Sequence, residues 1–167
     1  MPQMKVKGYN KHMIRNARME DVKAIYNLLQ HFSNKGLLLA RSLSSLYDQL
    51  RDFHVFVESQ GAVDRIVGAG ALHICWEDLA EIRSLAVDEN FQRQGIGSQL
   101  VAACLAEAEI FGIRKVFTLT YQPGFFASLG FHSIDKKELP HKVWSDCINC
   151  PKFPDCNEEA MIWQKQG

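Results

Sequence analysis

Two periods of apolar and polar residues alternate along the chain. "HMIRNA" (residues 12–17) reads as a short opening strand. In "MEDVKAIYNLLQHF" the residues Val22, Ile25, Leu28, Leu29 and Phe32 recur at helical spacing. Ser42 is placed to cap a second helix, "SLSSLYDQL", which carries Leu43, Leu46, Tyr47 and Leu50. "FHVFVES", "RIVGAGALHICW" and "AEIRSLAV" follow as three strands joined by short turns, which predicts an antiparallel meander. From Ile96 the positions Leu100, Cys104 and Ala108 return every four residues, predicting a long helix that Gly112 ends. "KVFTLT" comes after this strand–helix unit, and a crossover of that length predicts a strand parallel to "AEIRSLAV". A short helix, "GFFASL", and two strands, "FHSI" and "AMIWQK", complete an α/β pattern with a mixed sheet and helices on both faces.

Length and charge narrow the function classes. The 167 residues suit a single domain spanning 1–167, with a cysteine-containing extension at about 138–158. Lys+Arg and Asp+Glu both count 19. This balance argues against a general nucleic-acid partner or a membrane surface. The basic arm "MPQMKVKGYNKHMIRNAR" lacks the apolar core of a signal peptide, and no stretch has the ~18 apolar residues needed to cross a bilayer. The five cysteines are odd in number, and Cys75 and Cys104 sit in apolar runs as buried free thiols do. A cytoplasmic, reduced protein is the expectation.

The stretch "QRQGIG" (residues 92–97) lies between the strand ending at Val87 and the long helix. A helix N-terminus leaves about four N–H groups unpaired and carries roughly half a positive charge. Without side chains at Gly95 and Gly97, a phosphate can approach that backbone closely. Arg93 adds charge and Ser98 a hydroxyl. "GAGALH" lacks the third glycine of a dinucleotide fingerprint and sits within a strand, and no Gly-Lys-Ser/Thr element is present, so neither alternative anion motif applies.

Gln92-Arg93-Gln94-Gly95-Ile96-Gly97 resembles the Gln/Arg-x-x-Gly-x-Gly/Ala signature of the GNAT superfamily of acetyl-CoA-dependent N-acetyltransferases. "AEIRSLAVDENF" and "GFFASLGF" resemble the elements on either side of it. The resemblance implies a GNAT fold: a mixed, mostly antiparallel sheet with a V-shaped splay, flanked by helices. It implies acetyl-CoA as co-substrate, its pyrophosphate on the N–H groups of the loop from Gln92 to Ser98 and its pantetheine beside Leu85, Ala86 and Val87. "GLLLARSL", "GALHICWEDLAEIRSLAV", "VFTLTYQPGFFASLGF" and "LPHKVWSDC" are similar to the short, stand-alone N-acetylglutamate synthases. That similarity implies acetyl transfer to the α-amine of L-glutamate, in arginine biosynthesis. Longer members add an amino-acid-kinase domain at which arginine inhibits; this chain has no room for one, which puts regulation by that route in doubt.

Amine acetylation needs a neutral nitrogen, a polarised thioester carbonyl and a proton for the leaving thiolate. Strict alternation along "AEIRSLAV" would put Glu81, Arg83, Leu85 and Val87 on one face and Ile82, Ser84 and Ala86 on the other. Two charges within an apolar strand are costly if dry and unpaired. Glu81 is the candidate general base, acting through water, against the plainer reading of an internal Glu81–Arg83 ion pair. Arg83 and Arg41 are candidates for a substrate carboxylate, which a two-pronged guanidinium suits. Surface arginines explain the same residues. His73 reads as a hydrogen-bonded core histidine. Phe126 stands where related enzymes have a tyrosine acid, which leaves Tyr121, Ser128 or solvent to protonate the thiolate. Phe125 and Phe126 are expected to wall the pantetheine channel or fill the core.

Cys147, Cys150 and Cys156, with His141, have the residue types of a structural zinc set, but only one half resembles a zinc knuckle, so reduced, unliganded cysteines are favoured over metal. Rival readings keep the chemistry with another small amine or a protein N-terminus, or make the chain a non-catalytic acyl-CoA-binding module. Oligomeric state, a homodimer included, is not fixed by these residues.

Overall fold

The computed structural model describes residues 11–141, 143 and 157–166. Strand β1 (Lys11–Asn16) is followed by helices α1 (Val22–Asn34) and α2 (Leu43–Asp48), and then by strands β2 (Phe53–Gln60), β3 (Val63–Trp76) and β4 (Leu79–Val87). Helix α3 (Ile96–Ile110), strand β5 (Lys115–Thr120), the short helix α4 (Pro123–Ala127), and strands β6 (His132–Ser133) and β7 (Glu159–Gln164) complete the chain order. The sheet runs β1-β2-β3-β4-β5-β7-β6, antiparallel throughout except where β5 lies parallel to β4. The meander and the parallel crossover expected from the sequence are both present.

Each helix forms where its apolar stripe has a sheet face to cover. Val22, Ile25, Leu29 and Phe32 of α1 and Leu46 of α2 pack on Val55, Val57, Ala69, Ala71 and Ala86. The Ser42 hydroxyl accepts the Ser45 N–H at 3.1 Å and starts α2 as its position predicted. On the other face, Ile96 and Leu100 of α3 meet Phe56 and Val67, and Val101, Cys104 and Ala108 meet Leu72, Ala80 and Ile82. Cys75 and Cys104 are buried and free, and burial pushes the Cys104 thiol up to about 12, so it behaves as a small apolar side chain.

Two departures in β4 shape the cleft. Opposite β3, Ala69 pairs with Ala86 and Ala71 with Arg83, so Ser84 and Leu85 together face Gly70, and Ser84 takes a left-handed φ of 55°. This bulge overturns the strict alternation expected along "AEIRSLAV". Glu81 and Arg83 share the α1/α2 face, but beyond the extra residue it is Ala86 that continues that face. Leu85 and Val87 turn instead to the α3 side, against Ile96 and Leu100. One inserted residue shifts a period-two pattern by half a period, which composition does not reveal. The second departure is at β5. Its pairing with β4 runs only from Leu79↔Lys115 to Glu81↔Phe117. Past that point the Thr118 hydroxyl donates to the Ile82 carbonyl at 2.8 Å, and the strands part.

Candidate active site

The parted strands open a cleft of about 1310 Å³ that reaches from the α2 side to the start of α3. At one end lies the glycine loop. Gly95 caps α3 in the left-handed region, φ 79°, where a Cβ would be strained, and Arg93 shares that region at φ 63°. The Gln92 amide donates to the Val87 carbonyl at 3.0 Å and holds the loop against the end of β4. A Cβ on Gly97 would lie 3.2 Å from the Phe125 ring, so glycine is what lets α3 start this close to α4. Leu85, Ala86, Val87, Gln92, Arg93, Gly95, Ile96, Gly97, Ser98 and Phe126 line the cleft, and Gln94 does not. The bare backbone, the dipole of α3 and a cradle that a side chain would fill suit the pyrophosphate of acetyl-CoA.

At the other end, side chains distant in sequence converge. Arg41 donates through Nη1 to the Ser84 hydroxyl at 3.2 Å and through Nη2 to the Ser45 hydroxyl at 3.0 Å and to Gln49 Oε1. Its guanidinium also lies over the Phe53 ring, 5.5 Å from the centroid. Arg83 Nη2 donates to the same Gln49 oxygen at 2.9 Å. Burial, and then the neighbouring Arg83 charge, push Arg41 down to about 10. Among the described residues Arg83 Nε is buried without a hydrogen-bond partner. Glu81 Oε1 lies 3.7 Å from Arg83 Nη1, so the ion pair expected as the plainer reading is present, at the long end of contact, and both groups line the cleft.

The remaining sequence candidates separate cleanly. His73 Nδ1 lies 2.8 Å from Asp52 Oδ2, a hydrogen-bonded histidine as expected; it sits opposite Glu81 in the β3–β4 register and is not among the residues lining the cleft. Phe126 is buried against Phe125 and Phe131 in edge-to-face contacts, so it serves core and cleft wall together. Tyr121 lines the cleft, whereas the Ser128 hydroxyl turns back to the Phe125 carbonyl at 2.6 Å and does not. Cys147, Cys150 and Cys156 lie outside the described residues. Ser45, Gln49 and Ser84 were not read from the sequence as site residues. Arg41, Ser45 and Gln49 recur every four residues, the helical interval that could have flagged the first two.

A fold that parts β4 from β5 above a glycine-rich helix start defines a class of acyl-CoA-dependent transferases, and similarity to known proteins agrees. The Acetyltransferase (GNAT) family model matches residues 22–133, and the chain belongs to that family. It is an acetyl-CoA-dependent acetyltransferase. It is 40% identical over 149 residues to an uncharacterized N-acetyltransferase of Chlorobaculum tepidum, covering 89% of this chain and 94% of that protein. It is 37% identical to an amino-acid acetyltransferase of Mycobacterium tuberculosis over 80% of this chain and 76% of that one. The longer amino-acid acetyltransferases it matches, such as those of Neisseria meningitidis, are covered over only 29% of their length. Among solved structures it resembles Rv2747 of Mycobacterium tuberculosis in complex with CoA and NLQ, with a TM-score of 0.78, 31% identity and coverage of 92% and 99%. It also resembles N-acetylglutamate synthase of Neisseria gonorrhoeae complexed with coenzyme A and N-acetyl-glutamate, with a TM-score of 0.80, 25% identity and coverage of 94% of this chain and 36% of that one. Among the described residues no helix is long and apolar enough to cross a membrane.

Proposed function

We propose that the protein transfers an acetyl group from acetyl-CoA to the α-amine of L-glutamate. The observation that carries this reading is the pair of half-buried guanidinium groups, Arg41 and Arg83, in the cleft beside the candidate base Glu81. A carboxylate leaving water needs such partners, and Arg83 Nε has an unused donor to offer. A polyamine would meet two like charges there. The amino-acid acetyltransferases and the N-acetylglutamate synthase among its relatives support the same acceptor class.

Bound acetyl-CoA supplies the activated acetyl thioester. The loop from Gln92 to Ser98 holds its pyrophosphate by backbone N–H groups, while Leu85, Ala86 and Val87 border the pantetheine path. Arg41 and Arg83 orient the acceptor carboxylates, and Glu81 takes a proton from the ammonium through water. With phenylalanine at position 126, Tyr121 is the phenol on the cleft wall that can meet the leaving sulfur, alongside solvent.

The test is a screen of the standard amino acids and of polyamines with acetyl-CoA, read by thiol release. Glutamate is expected to give the highest kcat/KM. No activity on any amino acid, or a polyamine as the better acceptor, overturns the proposal.

A further inference from the structure

We infer that Gln49 is the positioning residue that sets the acceptor's charge: by bridging Arg41 and Arg83 with a neutral amide oxygen, it adds no negative charge beyond the Glu81 carboxylate 3.7 Å from Arg83, and so leaves positive charge for the acceptor to neutralise. The inference rests on the proposed acetylation of glutamate and adds to it the residue that separates an acceptor with two carboxylates from its analogue with one.

The geometry has three parts. Gln49 Oε1 accepts from Nη2 of Arg41 and, at 2.9 Å, from Nη2 of Arg83. Guanidinium groups only donate, so the amide must present its oxygen, not its nitrogen, to both. Among the described residues no carboxylate hydrogen-bonds to either arginine: Glu81 stops at 3.7 Å from Arg83, and Asp52 is turned to His73.

Two cations held around one neutral acceptor repel each other: after burial, the Arg83 charge is the next cause that lowers Arg41, and Asp52 and Glu81 offset it only in part. A glutamate at position 49 would relieve the repulsion but fill the same coordination with charge, and the pocket would no longer favour a second carboxylate on the acceptor. Glutamine as acceptor keeps the α-carboxylate and lacks the side-chain one, so the ratio of the two substrates reads the charge at this position. Specificity here is a difference between two affinities, set by a cleft residue that acts through the two arginines it bridges.

The experiment measures kcat and KM for glutamate, glutamine and acetyl-CoA in the wild type, Gln49→Glu and Gln49→Met, with thermal melting of each. Gln49→Glu is expected to lower kcat/KM for glutamate at least about tenfold more than for glutamine, chiefly through KM, without moving the acetyl-CoA KM. Gln49→Met removes the bridge without adding charge, so both acceptors should weaken while their ratio stays within about threefold of wild type. An unchanged glutamate-to-glutamine ratio in Gln49→Glu overturns the inference. If that variant does not fold, Gln49→Met decides alone: an unchanged glutamate KM removes the bridging role. Wild-type protein that acetylates neither amino acid removes the proposed function and this inference together, whereas an active wild type with an unmoved ratio removes only the role of Gln49.

Discussion

The two ends of the cleft present their donors by different means. At the start of α3 the donors are consecutive backbone N–H groups, and what matters is conformation: a left-handed Gly95 and no Cβ at Gly97. At the α2 end the donors are side chains from the segment before α2 and from β4, held in register by Ser45, Gln49 and Ser84. The first end should be sensitive to bulk and the second to charge. Glu81 lies at the second end too, 3.7 Å from Arg83, but as the candidate base its effect should appear in the chemical step.

Glu81→Gln is expected to have the largest effect, lowering kcat/KM by ~10²–10⁴ with acetyl-CoA binding little changed. A near-wild-type pH–rate profile in that variant would pass the proton to an ordered water. Arg41→Ala and Arg83→Ala are each expected to raise the glutamate KM by about 10–10²-fold and the acetyl-CoA KM far less. Whichever variant affects glutamine less identifies the arginine that meets the side-chain carboxylate. Equal effects on both substrates would dissolve the contrast between the two ends.

Gly97→Val tests the other end by bulk alone. The side chain would press on Phe125 and on Val87, and acetyl-CoA affinity in calorimetry should fall about tenfold while glutamate KM at saturating acetyl-CoA holds. Unchanged affinity in a folded variant would displace the pyrophosphate from this loop.

The smallest effect is expected away from both ends, where the buried His54 ring lies 2.9 Å from Glu107 of α3. Burial keeps His54 below its ordinary value of 6.5, so the unfolded chain takes the proton first. Its contribution to stability is present above 6.5 and lost as pH falls through the folded value. Burial raises Glu107, which acts in the opposite sense nearer its ordinary 4.5. The melting temperature should therefore drop by a few degrees as pH falls below 6.5, and His54→Gln should flatten that slope.

The asymmetry between the ends also explains what the sequence could reveal. The glycine loop was legible because its function is local: strand, turn residues and helix follow one another within "LAVDENFQRQGIGSQL". Arg41, Glu81 and Arg83 were legible as residue types, since charge beside apolar runs asks for an explanation. Gln49 was not, because a glutamine at the end of a short helix has many ordinary uses and its partner Arg83 is on another element. The faces of β4 were misread after Arg83 for a related reason. A bulge is a relation between two strands, and the residue that makes it here is a serine, not the glycine that would have announced it.

That bulge has a consequence for how such an enzyme diversifies. Before it, β4 gives the acceptor side Glu81 and Arg83; after it, Leu85 and Val87 support the α3 side. Substitutions at 83 can thus explore new acceptors without disturbing the apolar set beneath the glycine loop, and lineages can drift in one function while conserving the other. A change of length is different. Deleting residue 84 would remove the bulge itself: Leu85 would pair with Gly70 and Ala86 with Ala69 in a regular ladder, so the downstream faces would persist while the Ser84 hydroxyl that accepts from Arg41 would be lost. The extra residue thus serves the arginine end of the cleft, and the apolar set under α3 keeps its place with or without it.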